Sequence, residues 1–500
     1  MITKKNYMFF FVFFFLYRFF LIYFDIVQLN FIDYSALQLK ALSNHFIETL
    51  WFYGTLPIGN LIINKISIYF IEFIELNVFY YSLNSFYTFF SLILFSKILV
   101  QINYKKTVIF LFFILISLLM TSYERWSVYH HDHINLLIFT LISYYLFFLI
   151  NKKEANILIL SLIFSLLLLF NTLSIFLLFG LYSITSFICR KNKKFLNLNL
   201  ILIFFLILNI SVHIKNRINF NLFSATTVSN LNLIQKTIHA IGIDNFQNLV
   251  KENDNINLSI KECYNDIYLK NRFNLDELVG LHIDALCFYD FKNNKYSFEK
   301  IIKIPNFEDN EELKGAIIDD ELIFNNNNWI TQFGYKENNL KTKIYFQSLG
   351  PTIFLEAFLE YPFEMIVGKI GAKGFLLTVA KSLSWGATFP LNYQADNYNW
   401  NILEKLISQF FRFFNIIGLF LCIYYVPIVF KKFYKEKVIS NIDIYYLSLI
   451  FISSIVISLT SLITCCENDR LIVIIFFIVT IISVINYTKL MINFKNSKRI

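Results

Sequence analysis

The chain contains little of what interrupts regular structure or cross-links a small fold. Its 500 residues include 6 Pro, 13 Gly and 6 Cys, and 16% of them are charged. So few cysteines exclude a disulfide-rich scaffold. Hydrophobic residues make up 57% of the sequence, and 60 residues are Phe. This is more apolar surface than a soluble core buries, so the composition indicates a membrane protein.

Charge is divided unevenly along the chain. Residues 211–401 hold 18 Lys or Arg and 22 Asp or Glu, out of totals of 44 and 35, so the rest of the chain is basic. Short basic loops of membrane proteins stay in the cytoplasm and meet anionic lipid there. The formal charge of +9 therefore gives no reason to expect nucleic acid as a partner. The division predicts one large extracytoplasmic block within a polytopic protein.

Apolar runs of the length that crosses a bilayer flank this block on both sides. We predict ten spanning helices, near residues 8–24, 78–100, 107–122, 134–150, 155–170, 173–189, 196–212, 408–430, 443–463 and 471–491. With a cytoplasmic N-terminus, the basic clusters all fall in the cytoplasm, at 105–106, 152–153, 190–194, 431–437 and 495–499. The expected location is the cell (inner) membrane, with both termini in the cytoplasm.

The sequence therefore predicts a mainly α-helical protein. Residues 1–212 form an N-terminal membrane region with an amphipathic outer segment at 25–77, and residues 403–500 form the C-terminal membrane helices. Within the outer segment, apolar residues recur at helical spacing over 34–50 and again over 58–74. We expect these two stretches to lie in the membrane interface without crossing it.

Residues 213–402 are predicted to form a mixed α/β extracytoplasmic domain, inserted between membrane helices. Apolar and polar residues alternate over 284–303 and 320–347, which is typical of strands. The stretch 351–381 has the apolar spacing of a helix. We expect that helix to lie on the membrane before the chain enters it again.

Asp33 lies a few residues beyond the first predicted span. A carboxylate at the membrane surface can act as a general base toward an acceptor hydroxyl or amine, because partial desolvation raises its pKa toward the working pH. An Asp in front of an apolar run of helical period also commonly caps the helix that follows. Both interpretations of Asp33 stay open.

The densest group of potential ligands lies in the second predicted outer loop. It contains Glu124, His130, His131, Asp132 and His133. Imidazole and carboxylate groups are the usual ligands of zinc and manganese, although contiguous residues cannot all face one ion. The alternative is a solvated polar loop that caps the next span. A divalent metal is thus one interpretation, and the cofactor stays unassigned.

Arg470 stands close to the start of the last predicted span, after Glu467 and Asp469. Its guanidinium offers a fork of donors that suits a phosphate, and a helix N-terminus adds positive potential. In the alternative, the two acidic residues cap the helix and Arg470 anchors it in the interface.

These positions together resemble the GT-C-type glycosyltransferases, polytopic enzymes that use polyprenyl-phosphate sugars. The class includes the protein O-mannosyltransferase-like and aminoarabinose-transferase-like enzymes. The segments Asp33-Tyr-Ser-Ala-Leu-Gln-Leu and Thr55-Leu-Pro-Ile-Gly59 are similar to the acidic first outer loop of the class and the proline that follows it. Glu124 or Asp132 stands where members often have an acidic residue. Glu467-Asn-Asp-Arg-Leu-Ile is similar to an acidic–Arg–Tyr pattern before a late helix, with Leu in the Tyr position.

The resemblance implies an integral membrane glycosyltransferase that moves a sugar from a polyprenyl-phosphate donor to an extracytoplasmic acceptor. It implies that Asp33 is the catalytic base and that Arg470 helps to hold the donor phosphate. The second-loop cluster and Glu467 would line the site, and the donor and membrane lipids are the expected partners. Two alternatives stay open. One is a lipid-linked polysaccharide polymerase or ligase, and the other is a non-enzymatic transporter or receptor.

Overall fold

In the computed structural model of the chain, the described residues are almost entirely helical. It describes residues 4–23, 41–52, 58–70, 73–102, 104–126, 130–152, 156–171, 174–189, 195–220, 222–223, 233–234, 237, 240–250, 337–367, 402–436, 439–463 and 474–497. No strand occurs among these residues.

Fifteen helices are described. In chain order they are α1 (Lys4–Tyr23), α2 (Phe46–Phe52), α3 (Ile58–Phe70), α4 (Leu76–Gln101), α5 (Lys106–Trp126), α6 (His130–Lys152), α7 (Ile157–Phe170), α8 (Ser174–Cys189), α9 (Phe195–Phe220), α10 (Ile243–Leu249), α11 (Glu337–Glu360), α12 (Pro362–Val367), α13 (Ile402–Glu436), α14 (Asn441–Ile463) and α15 (Phe476–Ser497).

Each of the ten predicted spans coincides with one of these helices. Six of the described helices are long and apolar enough to cross a membrane: α1, α4, α6, α9, α13 and α14. The apolar stretches described in α5, α7, α8 and α15 are shorter. The prediction of a multi-helix membrane protein is thus confirmed at this coarser level.

Helix α6 lies at the centre of the bundle. It packs against α3, α4, α7, α8, α14 and α15. Within its apolar stretch 72% of the residues are buried, against 22% in α1, α9 and α13. These three helices lie at the periphery of the bundle and expose large apolar side chains, among them Phe19 and Phe420. Such surfaces suit contact with lipid and not with water.

Aromatic rings fix the direction of the first helices. Phe10 of α1 stacks on Phe113 of α5, with 4.0 Å between ring centroids. Phe14 of α1 meets Phe89 of α4 at 5.4 Å, while Leu21 clusters with Tyr81. Later residues of α1 therefore meet earlier residues of α4, so these two helices are antiparallel.

Close packing of α13 against α15 depends on a glycine. A Cβ added to Gly418 would overlap Ser483, so only glycine permits this approach of the two helices. Asn486 donates to the Gly418 carbonyl oxygen at 2.8 Å, and Tyr487 donates to the Phe414 carbonyl oxygen at 3.0 Å. Small residues and hydrogen bonds between helices are the usual means of association where lipid replaces water.

Within the predicted amphipathic outer segment, the described residues include the helices α2 and α3. With 13 residues, α3 is about 20 Å long and too short to cross hydrocarbon about 30 Å thick. Gly59 of α3 lies against the ring of Phe170, at the end of α7. Because α7 has 14 residues, about 21 Å, it also falls short of that thickness. Helix α3 packs against the end of α7, at the place where α7 stops short of that thickness.

One predicted strand is wrong in its second half. Residues 337–347, within the segment 320–347, begin α11. The short alternation of polar and apolar residues there also fits a helical period, and the buried residues Ile353 and Ala357 continue that helix at a spacing of four. The predicted helix at 351–381 occurs as the end of α11 and as α12, as far as residue 367. The other predicted strand, at 284–303, lies outside the described residues.

Candidate functional site

Three of the residues predicted from the sequence, Asp33, Glu467 and Arg470, lie outside the described residues. Their predicted roles as base, lining residue and phosphate ligand stay predictions.

The second predicted outer loop is largely helical. Helix α5 includes Glu124, and α6 begins at His130, so only residues 127–129 separate the two helices in the described chain. His130, His131 and Asp132 occupy the first turn of α6.

His133 is fully buried, so the prediction of a solvated loop up to this residue is wrong. Helix α6 begins four residues earlier than predicted, and His133 then shares its buried side with Leu136 and Thr140, one and two turns further on. Among the side chains that the structure describes, no group of three or more His, Cys, Asp or Glu could hold a metal ion.

Buried carboxamides collect at one end of the bundle. We call this the amide-rich end. It consists of the N-terminal parts of α4, α6 and α8, the end of α7, the C-terminal half of α9, and α3 next to them. Asn171 donates to Asn135 Oδ1 at 2.9 Å, and Asn135 donates to the Phe170 carbonyl oxygen at 3.1 Å. Asn209 of α9 donates to Ser174 Oγ at 2.6 Å. In the predicted topology this end faces the extracytoplasmic side.

Helix α3 directs a polar face into this end. Asn60, Asn64 and Ser67 recur at helical spacing and are all buried. The Tyr80 hydroxyl of α4 donates to Asn64 Oδ1 at 2.8 Å and to Ser67 Oγ at 3.1 Å. The contact between α3 and α4 combines these hydroxyl and amide groups with a stack of Phe70 on Phe79, 5.4 Å between ring centroids.

Asn84 follows Tyr80 by one turn on α4. Its side chain is 0% exposed, and neither of its amide atoms has a hydrogen-bond partner among the described residues. The Thr88 hydroxyl bonds only the main-chain carbonyl oxygen of Asn84, at 3.0 Å. A buried polar group left without a partner costs about 1–3 kcal/mol. Within the described chain, other buried amides, such as Asn415 and Asn486, leave only the oxygen without a partner, whereas Asn84 leaves both atoms.

Two buried cations accompany the amides. Lys215 donates to the Leu50 carbonyl oxygen at 3.3 Å, and Asn219 donates to the Trp51 carbonyl oxygen at 2.6 Å. The last carbonyl groups of a helix lack intrahelical donors and carry partial negative charge. Lys215 and Asn219 therefore fasten the end of α2 to α9.

Arg18 is the second buried cation, 2% exposed on α1. Its guanidinium carbon lies 3.3 Å from the centroid of the Phe14 ring, and Nη2 donates to the Ser117 carbonyl oxygen at 3.3 Å. Phe14 stands near the middle of α1, so the charge lies deep in the bundle. Ionisable groups at this depth are costly and mark functional positions in membrane proteins.

The opposite end of the bundle contains an ion pair. Lys489 lies 2.7 Å from Asp443 and also over the ring of Tyr446, 4.4 Å from its centroid. The Ser440 hydroxyl donates to Asp443 Oδ2 and accepts from the Asp443 main-chain nitrogen, as a residue that caps a helix does. The ion pair joins α14 to α15, and Ser440 caps α14.

The sequence interpretation concentrated on acids and histidines in loops, and it missed the buried amides on helices. The available signal was their spacing. Asn60, Asn64 and Ser67 on α3, and Tyr80 and Asn84 on α4, recur at intervals of three or four residues. Asn is frequent throughout this chain, so spacing alone does not separate buried amides from exposed ones.

In comparisons with known proteins, no protein-family model, no curated protein and no solved structure matches the chain.

Proposed function

We propose that the chain is an integral membrane glycosyltransferase of the GT-C type, which moves a sugar from a polyprenyl-phosphate donor to an extracytoplasmic acceptor. The observation that supports this most directly is the amide-rich end. Apart from Asn415 and Asn486 between α13 and α15, the buried carboxamides of the described bundle lie toward one end, next to the short helix α3. A polyprenyl-linked sugar has the matching form, because its chain belongs in lipid and its sugar belongs at the polar end.

In the proposed reaction, an acceptor oxygen or nitrogen forms a bond to the anomeric carbon of the donor sugar. The bond from that carbon to the phosphate oxygen breaks, and polyprenyl phosphate leaves with the electron pair. The acceptor proton passes to the Asp33 carboxylate. Hydroxyl and amine acceptors need such a base near neutral pH. Arg470 offsets the negative charge of the phosphate, as the resemblance implies.

The proposal includes a topology of ten spans with both termini in the cytoplasm, and an extracytoplasmic domain of mixed α/β structure. The six long helices support the multi-span arrangement. The proposal assigns the other crossings to α5, α8, α15 and to α7 together with α3, which packs across its end. Helices α7 and α8 follow each other as a pair. Because this pair returns the chain to the side on which α7 begins, it does not change the side of the membrane on which the later helices start.

Transport is the second candidate function, and Arg18 is the observation that favours it. A guanidinium deep inside a membrane bundle is characteristic of pathways for ions or charged solutes. A lipid-linked polysaccharide polymerase or ligase is a third candidate, which would use the same donors and differ in its product.

The test is a reconstitution of the purified full-length protein into liposomes. These contain polyprenyl phosphate that carries radiolabelled mannose, glucose or aminoarabinose, with an extract of cell-envelope lipid and glycan as acceptor. We expect release of polyprenyl phosphate and transfer of one labelled sugar per acceptor from at least one donor. Products with many added sugars indicate a polymerase. Uptake of labelled solute without cleavage of any donor indicates a transporter and overturns the proposal.

A further inference from the structure

Asn84 differs from the other amides at the amide-rich end. Asn135, Asn171 and Asn209 each donate a hydrogen bond to a group at the same end. Asn84 is equally buried, yet both its nitrogen and its oxygen lack a partner in the part of the chain that the structure describes. Buried polar groups in folded proteins are almost always bonded, so a group at this position calls for an external partner.

The surroundings of Asn84 are polar and neutral. On the same side of α4 lie Tyr80, one turn before, and Thr88, one turn after, and both are buried. Tyr80 in turn bonds Asn64 and Ser67 on the polar face of α3. These are hydroxyl and amide groups, each able to donate and to accept.

This chemistry selects the partner. A carboxamide presents an acceptor oxygen beside two N–H donors. An anion can only accept hydrogen bonds. It would pair with the N–H groups of Asn84 and repel the oxygen. A cation would pair with the oxygen of Asn84 and repel the N–H groups, which carry partial positive charge. Two adjacent hydroxyl groups satisfy both ends at once, because each hydroxyl donates one hydrogen bond and accepts others.

Helix α3 lies next to this group of residues. It contacts Tyr80 through hydrogen bonds, which water can replace. Its contacts with Phe170 of α7, through Gly59, and with Phe79 of α4, through Phe70, are apolar. The hydrogen bonds of Tyr80 are therefore the part of this contact that the hydroxyl groups of a ligand can replace.

We propose that Asn84 binds the sugar of the donor, hydrogen-bonding two adjacent hydroxyl groups beside Tyr80. This inference rests on the proposed function, and it assigns the sugar-binding part of that site to α4, next to the polar face of α3.

The test separates binding of the sugar from binding of the lipid. Thermal unfolding of the purified protein in nanodiscs is measured with polyprenyl phosphate and with polyprenyl phosphate mannose, glucose or aminoarabinose. The difference in melting temperature between sugar-bearing and sugar-free lipid reports contact with the sugar. The variants are Asn84→Leu, which removes both hydrogen-bonding ends, and Asn84→Ser, which keeps one hydroxyl. Asn415→Leu is the control, because Asn415 is a buried amide between α13 and α15, far along the chain from α3 and α4.

We expect Asn84→Leu to lose the sugar-specific shift and keep the shift with polyprenyl phosphate. Its donor KM in the transfer assay should rise by roughly 10- to 100-fold, as loss of two hydrogen bonds to the sugar implies. Asn84→Ser should show a smaller rise, and Asn415→Leu should keep the sugar-specific shift. If both Asn84 variants retain that shift and the donor KM, the inference is wrong although sugar transfer stands. If the shift depends on Asn84 but no sugar is transferred, the site stands and the transferase function fails. A wild-type protein without any sugar-specific shift overturns the inference as well.

Discussion

Arg18, Lys215 and Asn84 bring polar groups into the bundle, and each is supported differently. The Arg18 guanidinium lies over the Phe14 ring and reaches a main-chain carbonyl oxygen, which are two ways to stabilise a cation away from water. Lys215 lies at the end of α2, where carbonyl groups supply negative potential. Asn84 lacks comparable support within the described chain, which is why we assign it a ligand.

The residue-scale prediction concerns Asp33. Asp33→Asn keeps the size and the capping capacity of the side chain but removes its basicity. We expect near-normal expression and a loss of sugar transfer of about 10²–10⁴-fold per folded molecule, the usual cost of losing a general base. The measurement is the turnover number in the liposome assay.

Asp33→Ala is the matched comparison. If Asp33 only caps a helix, this variant loses about 1 kcal/mol of stability and keeps its turnover. Full activity of Asp33→Asn would end the assignment of Asp33 as the base and leave the membrane architecture unaffected.

At the scale of elements, the short helices α3 and α7 depend on each other. Helix α7 ends at Phe170 below the length of a full span, and α3 lies across that end with Gly59 against the Phe170 ring. The same helix α3 meets α4 through Asn64 and Ser67. Changes at the apolar contact should therefore affect the polar one.

The element-scale prediction is that Gly59→Ala displaces α3. The added Cβ would overlap the Phe170 ring, and overpacking of this kind costs about 1–3 kcal/mol. We expect a lower melting temperature and a higher donor KM, because α3 is displaced from Tyr80, which lies one turn from Asn84. The double variant Gly59→Ala with Phe170→Leu makes room for the methyl group and should recover part of both losses. Equal donor KM in Gly59→Ala and wild type would separate α3 from the site.

At the scale of the whole molecule, the bundle has two different ends. One end contains buried amides and α3. The other contains the Asp443–Lys489 pair and the exposed residues Lys431, Lys432 and Lys435 at the end of α13. Exposed lysines of this kind suit the anionic cytoplasmic surface of a membrane.

The molecule-scale prediction is the side of the membrane on which each region lies. In a variant without the six native cysteines, single cysteines at Asp254 and Asn327 should react with a membrane-impermeant thiol reagent added to intact cells. A single cysteine at Lys435 should react only after the membrane is permeabilised. Protection of position 254 or 327 in intact cells would contradict the proposed topology.

The sequence by itself determined the helices of the membrane region and the short helices α2 and α3. Hydrophobic length and charge bias are properties of a continuous stretch, and they need no information about neighbours. The second half of the predicted strand at 320–347 failed because a short alternation fits two periods, and only the continuation through Ile353 and Ala357 decides between them. Only the tertiary structure decided that α6 is central, that His133 is buried, and that Asn135, Asn171 and Tyr80 meet their partners at one end. The physical reason is that these helices are apolar on nearly every side, so the choice of neighbour depends on the fit of particular rings, glycines and amides across the bundle.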